Sequence, residues 1–310
     1  MVASMEANLR WALVTAIAPV AWGSTYFVTH EFLPAQHPLW GAVIRALPAG
    51  LLLLALSRTR PRGPWWWRAA VLGVLNTGVF FALIYLTAQL LPTSIAATIM
   101  ATAPVLMMLM AWLLLAERPA VLQLLGAVVG IVGVGLMLFT GVGPVDGRGV
   151  LASVAAMTLS SLGYVLAKRW SSDAGLLAST SWQLIAGGLL LVPAAVLVEG
   201  SPPALDGSAL LAFAFVSGVA TALAFVAWFA GLRQLPAGTV GLLGLLNPMT
   251  GVLLGTLVAA EPLSARQLAG LGLLLVGILA GQPAVIHRVR TRWRGRAVSW
   301  RRPAEVPACR

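Results

Sequence analysis

Apolar residues occupy this chain in long runs, interrupted at near-regular intervals by short polar stretches. A hydrocarbon core about 30 Å thick needs roughly 20 apolar residues per helical crossing. Ten runs answer that description: 11–33, 38–56, 67–90, 93–116, 121–141, 149–167, 176–198, 208–232, 238–260 and 265–281. The stretches between them, such as 58–64, 141–148 and 199–207, are rich in Pro, Gly and charge, which is the punctuation of turns. The pattern predicts an all-α membrane protein of ten transmembrane helices and leaves no stretch for a soluble domain. The first run follows Arg10, contains Pro19 and Trp22 and lacks an obvious small-residue cleavage site. It reads as a spanning helix rather than a secretory signal.

The pattern also repeats. Residues 91–133 recur as 235–277 at a constant spacing of 144, with Pro92 on Pro236, Pro104 on Pro248, Glu117 on Glu261, Gln123 on Gln267, Gly126 on Gly270 and Gly133 on Gly277. Upstream, Thr77 and Phe81 fall on Thr221 and Phe225, and a spacing near 140 sets Trp22-Gly23-Ser24 against Leu162-Gly163-Tyr164. Matches of Leu and Ala mean little in so apolar a chain, but a kinking Pro followed thirteen residues later by a Glu means more. The boundaries that follow are 1–145 for one five-helix repeat, 146–282 for the second and 283–310 for a basic tail. Five crossings is an odd number, so the second repeat enters the membrane in the opposite sense to the first. Two inverted repeats around a central site are the architecture of many secondary transporters, and they imply alternating access.

Composition and charge refine this picture. Hydrophobic residues make up 59% and charged residues 9%, far from the quarter or so of charged residues usual in soluble domains. The net charge of +11 lies in loops and the tail and not on an amphipathic face, so topology explains it better than nucleic acid does. With the N-terminus in the cytoplasm, Arg10, Arg58, Arg60, Arg62, Arg68, Arg118, Lys168, Arg169, Arg233 and the arginines beyond residue 287 are inside. Only Arg148 and Arg266 are then outside. The positive-inside rule therefore puts both termini in the cytoplasm. The single cysteine, Cys309, allows neither an intramolecular disulfide nor a cysteine metal cluster.

The two five-helix halves, each with a Pro in its fourth helix (Pro104, Pro248) and a Glu closing it (Glu117, Glu261) before a Gly-rich fifth helix, resemble the EamA-type members of the drug/metabolite transporter superfamily. The resemblance covers residues 9–282. The tryptophan-rich loop at 64–68 and Trp22-Gly23-Ser24 look most like aromatic amino-acid exporters of the YddG type. The resemblance implies a central cavity lined by helices one to four and six to nine, with five and ten peripheral, in a bacterial inner membrane. Together with the mid-membrane residues below, it implies export of aromatic and other large apolar amino acids. A nucleobase, a sugar derivative or a neutral drug is the rival cargo.

Polar and aromatic groups at mid-depth are the candidates for a binding site, because an unsatisfied amide or hydroxyl in hydrocarbon costs several kcal/mol. They are Trp22, Ser24, Thr25 and Tyr26 in the first helix, Asn76, Thr77, Phe80 and Phe81 in the third, Thr98 and Thr102 in the fourth, Ser160, Ser161 and Tyr164 in the sixth, Trp182 and Gln183 in the seventh, Thr221, Phe225 and Trp228 in the eighth and Asn247 in the ninth. Each has a structural alternative. A hydroxyl can bond back to its own helix, an amide can tie helices together, and a ring can pack in a core rather than stack on a solute. Pro104 and Pro248 remove a backbone bond at mid-span and mark hinges or kinks. Arg45, the one charge within a span, either snorkels to the surface or meets Glu31, or it captures a substrate carboxylate. Trp65, Trp66 and Trp67 beside Arg68 read as an interfacial belt.

No Asp or Glu lies in the middle of a run, so a buried proton-exchanging carboxylate is not expected and movement down the gradient is. Nor is an enzyme expected, since there is no buried acid pair, metal-binding spacing or Ser-His couple. No cofactor or metal is called for. Gly126, Gly130, Gly133 and Gly135, with Gly270, Gly272 and Gly277, form small-residue faces for close helix contact within one chain or in a homodimer. The arginine-rich tail is expected to attract anionic lipid.

Overall fold

The computed structural model describes residues 2–32, 37–91, 93–138, 146–258 and 264–287. Helices account for its framework: α1 (Val2–Phe32), α2 (Pro38–Ser57), α3 (Trp65–Leu90), α4 (Thr93–Met100 and Ala103–Leu115), α5 (Val121–Leu138), α6 (Gly147–Arg169), α7 (Leu176–Glu199), α8 (Gly207–Gln234), α9 (Ala237–Leu243 and Leu246–Val258) and α10 (Ala265–Ala280). Among the described residues there is no strand. Eight of these helices, α2 to α9, are long and apolar enough to cross a membrane. The other two differ from them: α10 is apolar but has 16 residues, and α1 has 31 with Glu6 and Arg10 near its start. Large apolar side chains such as Leu113, Leu151, Leu197, Leu211 and Leu257 point outward, as a surface in contact with lipid tails requires.

Departures from regular helix occur in pairs. A π-helical turn occupies Val74–Gly78 in α3 and another Gly218–Leu223 in α8, their starts separated by the spacing of the sequence repeat. The gaps in α4 and α9 lie at Ala101-Thr102 and Gly244-Leu245, within one residue of the repeat spacing. Proline accounts for both gaps. A proline ring lacks the N–H for the i−4 bond and collides with the carbonyl at that position. For Pro104 and Pro248 those carbonyls belong to Met100, the last residue of the first segment of α4, and Gly244, the first residue past the first segment of α9.

The packing shows the same correspondence. The most extensive contacts are α5 with α10 and α2 with α7; α1 lies on α8 and α9, while α6 lies on α3 and α4. Exchanging each of α1 to α5 with its counterpart in α6 to α10 turns every one of these contacts into another of the set. The α5–α10 crossing is held by glycines. A Cβ on Gly126 would come within 2.5 Å of Gly277 O, and one on Gly133 would lie 2.6 Å from Gly270 O. These glycines therefore meet their own chain, whereas a Cβ on Gly135 or Gly272 would enter open space.

Carboxylates and amides close the helix ends. The carboxylate of Glu199, at the end of α7, accepts from the N–H groups of Leu39 (2.7 Å) and Trp40 (2.9 Å) at the start of α2. Glu117 follows the left-handed turn at Ala116 (φ 56°) that ends α4. It accepts from Ala237 N at the start of α9 (2.9 Å) and pairs with Lys168 at the end of α6 (2.6 Å). Both use the positive end of a helix dipole. The repeated glutamines prove to be caps, since Gln123 Oε1 accepts from Ala120 N (3.0 Å) and Gln267 Oε1 from Ser264 N (2.9 Å). Asp206 caps α8 through Ala209 N, and this bond together with the Ser208 hydroxyl holds its carboxyl below the usual range.

Because the α5–α10 helices touch backbone to backbone, overpacking there is expected to cost about 1–3 kcal/mol or more. Gly133→Leu or Gly270→Leu should lower the melting temperature of purified protein in detergent, while Gly135→Leu should leave it close to wild type. Equal melting of both kinds of variant would show that this crossing does not support the fold.

Candidate functional site

The centre of the bundle combines one guanidinium with a cluster of rings. Arg45 leaves α2 and reaches α8, donating from Nε to Thr221 Oγ1 (3.1 Å) and from Nη2 to Ala220 O (3.3 Å). Its guanidinium carbon lies 4.9 Å from the centroid of Phe81 on α3, within the range of a cation–π contact. Both oxygens belong to the π-helical turn, where Thr221 Oγ1 donates to Val216 O at 2.8 Å. A π turn displaces carbonyls from the regular ladder and is a frequent feature of functional sites. A snorkelling Arg45 is thus corrected: the side chain turns inward. The side chain of Glu31, its other expected partner, lies outside the described residues.

Beside this group, α1, α6 and α8 contribute rings that touch one another. Trp22 meets Phe225 at 5.5 Å and Trp228 at 5.3 Å between centroids, and Tyr164 meets Trp228 at 5.3 Å and Phe229 at 6.0 Å. The interplanar angles of 54° to 69° are edge-to-face or tilted, as the ring quadrupole favours, and each pair adds about 0.5–1.5 kcal/mol beyond its buried area. Phe225 and Trp228 are buried, and Trp22 and Tyr164 are partly so. The edge of Trp228 lies against the break in α9, 3.4 Å from where a Cβ on Gly244 would sit. Among the described residues its buried indole N–H has no acceptor.

Four of the aromatic candidates, Trp22, Tyr164, Phe225 and Trp228, therefore come together. Phe229 joins them although the search for mid-depth groups did not single it out. It stands four residues after Phe225, and that spacing puts the two on one helix face. On α3, Phe81 rather than Phe80 lies under Arg45, with Phe80 at 5.6 Å from it. Asn247 is half-buried at the α9 break, and its backbone carbonyl faces Gly23 of α1 so closely that a Cβ there would come within 2.5 Å. The kinked helices also meet each other, Pro104 Cα lying 3.1 Å from where a Cβ on Gly241 would be.

Other candidates lie elsewhere. Asn76 is fully buried, donates to Gln183 Oε1 at 2.9 Å and is wedged against Gly163, so it locks α3, α6 and α7 together. Trp182 packs on Trp65 at 5.4 Å and donates to Thr59 O at 2.9 Å, near the loop before α3. Trp65 is buried there while Trp66 and Trp67 are exposed, which corrects the belt reading for Trp65. Ser24 Oγ donates to Ala21 O of its own helix at 2.8 Å. The side chain of Tyr26 lies outside the described residues. Among the described residues, no three His, Cys, Asp or Glu side chains come together in a way that would hold a metal ion.

Comparison with known proteins identifies the assembly. The profile of the EamA-like transporter family matches twice, over residues 9–139 and 147–280. Protein PecM of Dickeya dadantii (strain 3937) is 38% identical over 255 residues, covering 82% of this chain and 86% of that protein. The Escherichia coli (strain K12) protein described as the uncharacterized inner membrane transporter YedA is 27% identical over 268 residues, covering 84% and 86%. A solved crystal structure superimposes with a TM-score of 0.79 at 19% identity, over 90% of this chain and 98% of that one, a likeness of fold alone. The double profile match and the extent of the PecM similarity show that this multi-pass membrane protein belongs to the EamA-like transporter family of the drug/metabolite transporter superfamily.

Proposed function

We propose that this transporter exports amino acids, favouring aromatic and other large apolar side chains, by alternating access between two inverted five-helix halves in a bacterial inner membrane. The observation that carries the reading is the placement of Arg45, bonded to the π turn of α8 and stacked on Phe81, beside the Trp22, Tyr164, Phe225 and Trp228 cluster. An amphipathic amino acid needs a cation for its carboxylate, apolar walls for its side chain and oxygen acceptors for its ammonium. Arg45 supplies the first, because its guanidinium can form a charge-assisted pair with a carboxylate. The rings supply the second, and the interrupted ladder of α9 beside Asn247 the third.

The inverted halves are supported by the paired π turns, paired helix breaks and exchange-symmetric contacts. Two similar halves inserted in opposite senses can trade conformations, opening one central site to each side in turn. No carboxylate lies at mid-span in the sequence to bind a proton in exchange for cargo, so transport runs down the gradient of the cargo itself. The distribution of Lys and Arg supports a cytoplasmic position for both termini and for the end holding Glu117 and Lys168.

Three outcomes follow. In proteoliposomes wild-type protein is expected to move Phe, Trp, Met or Thr, and Arg45→Gln should slow Phe by about tenfold or more, the scale of one charge-assisted bond, while sparing an amine analogue without a carboxylate. Movement of a nucleoside or sugar in place of the amino acids would overturn the substrate while leaving the fold intact. Trp228→Ala should penalise Phe and Trp more than Thr, because it removes wall and not the carboxylate partner; a uniform loss would assign the ring to packing. Cys309, the only cysteine, should react with a membrane-impermeant maleimide in inverted vesicles and resist it in right-side-out ones, and the opposite pattern would reverse the topology.

A further inference from the structure

At the end of the bundle that holds Glu117 and Lys168, helices α3, α6, α7 and α8 leave a small cleft walled by Trp65, Lys168, Ser179, Gln183, Phe229 and Arg233. Its charges do not balance. Lys168 is paired with Glu117, and the neighbouring Arg68 with Asp173. Arg233 instead donates from Nη2 to two neutral oxygens, Ala174 O at 2.9 Å and Ser179 Oγ at 3.3 Å. Among the described residues no carboxylate pairs with it. Arg233 is half-buried, and the part of a guanidinium that leaves water is costly unless an anion offsets its charge.

A second observation points the same way. Trp65, only 5% exposed, lines the cleft, and among the described residues its indole N–H finds no acceptor. An orphaned buried donor is costly and calls for an explanation. The cleft thus offers a cation without a counter-charge and a donor without an acceptor, with no acid on its walls. Phe229 forms one wall and is also a member of the central ring cluster, so the cleft adjoins the proposed substrate path.

We propose that this cleft is an anion subsite, in which Arg233 and the Trp65 N–H receive the carboxylate of a small organic solute at the cytoplasmic mouth before the solute moves on to Arg45. That the solute is an amino acid rests on the proposed function; the affinity for a carboxylate does not. A phosphate or carboxylate on an anionic lipid would present the same chemistry, and the lipid composition of the assay separates the two sources.

The test is calorimetric titration of sodium benzoate into the full-length chain in phosphatidylcholine nanodiscs, in the Arg45→Gln background so that the other central guanidinium does not contribute. Benzoate is expected to bind saturably, with affinity at least about tenfold weaker once Arg233→Gln is added, several-fold weaker with Trp65→Phe and little changed with Arg233→Lys. Should Arg233→Gln fail to fold, as a thermal melt would show, Trp65→Phe carries the comparison, since it removes the N–H and keeps a ring. Absence of binding in the Arg45→Gln protein, or equal binding with and without the Arg233 and Trp65 substitutions, overturns the proposal. So does loss of binding when phosphatidylglycerol is included, which assigns the cleft to a lipid headgroup. Benzoate binding without any transport of Phe by the wild type would leave the subsite standing and remove the amino-acid reading instead.

Discussion

Within a bilayer, every backbone N–H and C=O must find its partner inside the protein, and the rest of this structure is an answer to that demand. Regular helix satisfies it everywhere except where the ladder is interrupted. Among the described residues, helical form is interrupted in matched places: the π turns of α3 and α8 and the proline breaks of α4 and α9. Each frees polar backbone groups near the centre of the bundle, and the groups that gather there are those able to use them. Arg45 bonds to Ala220 O in one π turn, and Trp228 lies across Gly244 at one break.

The α5–α10 pair resolves a different problem. Hydrophobic burial does not drive helices together in lipid, so close packing has to do so. The four glycines of the α5–α10 crossing bring backbones into contact, and contact that close leaves little room for sliding. A rigid pair at the edge and interrupted helices at the centre form a sensible division for a transporter. Movement is then concentrated where backbone bonds are already missing.

Charge is placed at the ends by the same economy. Glu117 and Glu199 each close the start of a helix that belongs to the other half of the chain, α9 and α2 respectively. These carboxylates link the two parts of the chain through helix dipoles rather than through apolar surface, and Glu117 gains Lys168 as a second partner. Arg233, close to that network but outside its charge balance, stands where a solute would pass.

How much of this was legible in the residues themselves depends on the length scale of the physics. Helix content, the approximate spans and the repeat follow from local rules, since apolar run length, proline geometry and a constant spacing are properties of a linear string. For that reason Pro104 and Pro248 could be placed at breaks without coordinates, and Gly126, Gly133, Gly270 and Gly277 at a close contact. Whether that contact lay within the chain or between copies depended on where α10 returns to α5. Side-chain partnership is non-local and escaped the string more often. Asn76 had a donor and an acceptor to satisfy wherever it lay, but only the approach of Gln183 and Gly163 made it a lock between helices and not a group facing solute. Trp65 shares its neighbours' composition, yet the arrival of Trp182 buried it while Trp66 and Trp67 stayed outside. Arg45 was conspicuous in the sequence because a charge in a span is costly anywhere; that it turns inward onto α8 was decided by tertiary structure, because the carbonyl and hydroxyl that receive it stand more than 170 residues away along the chain.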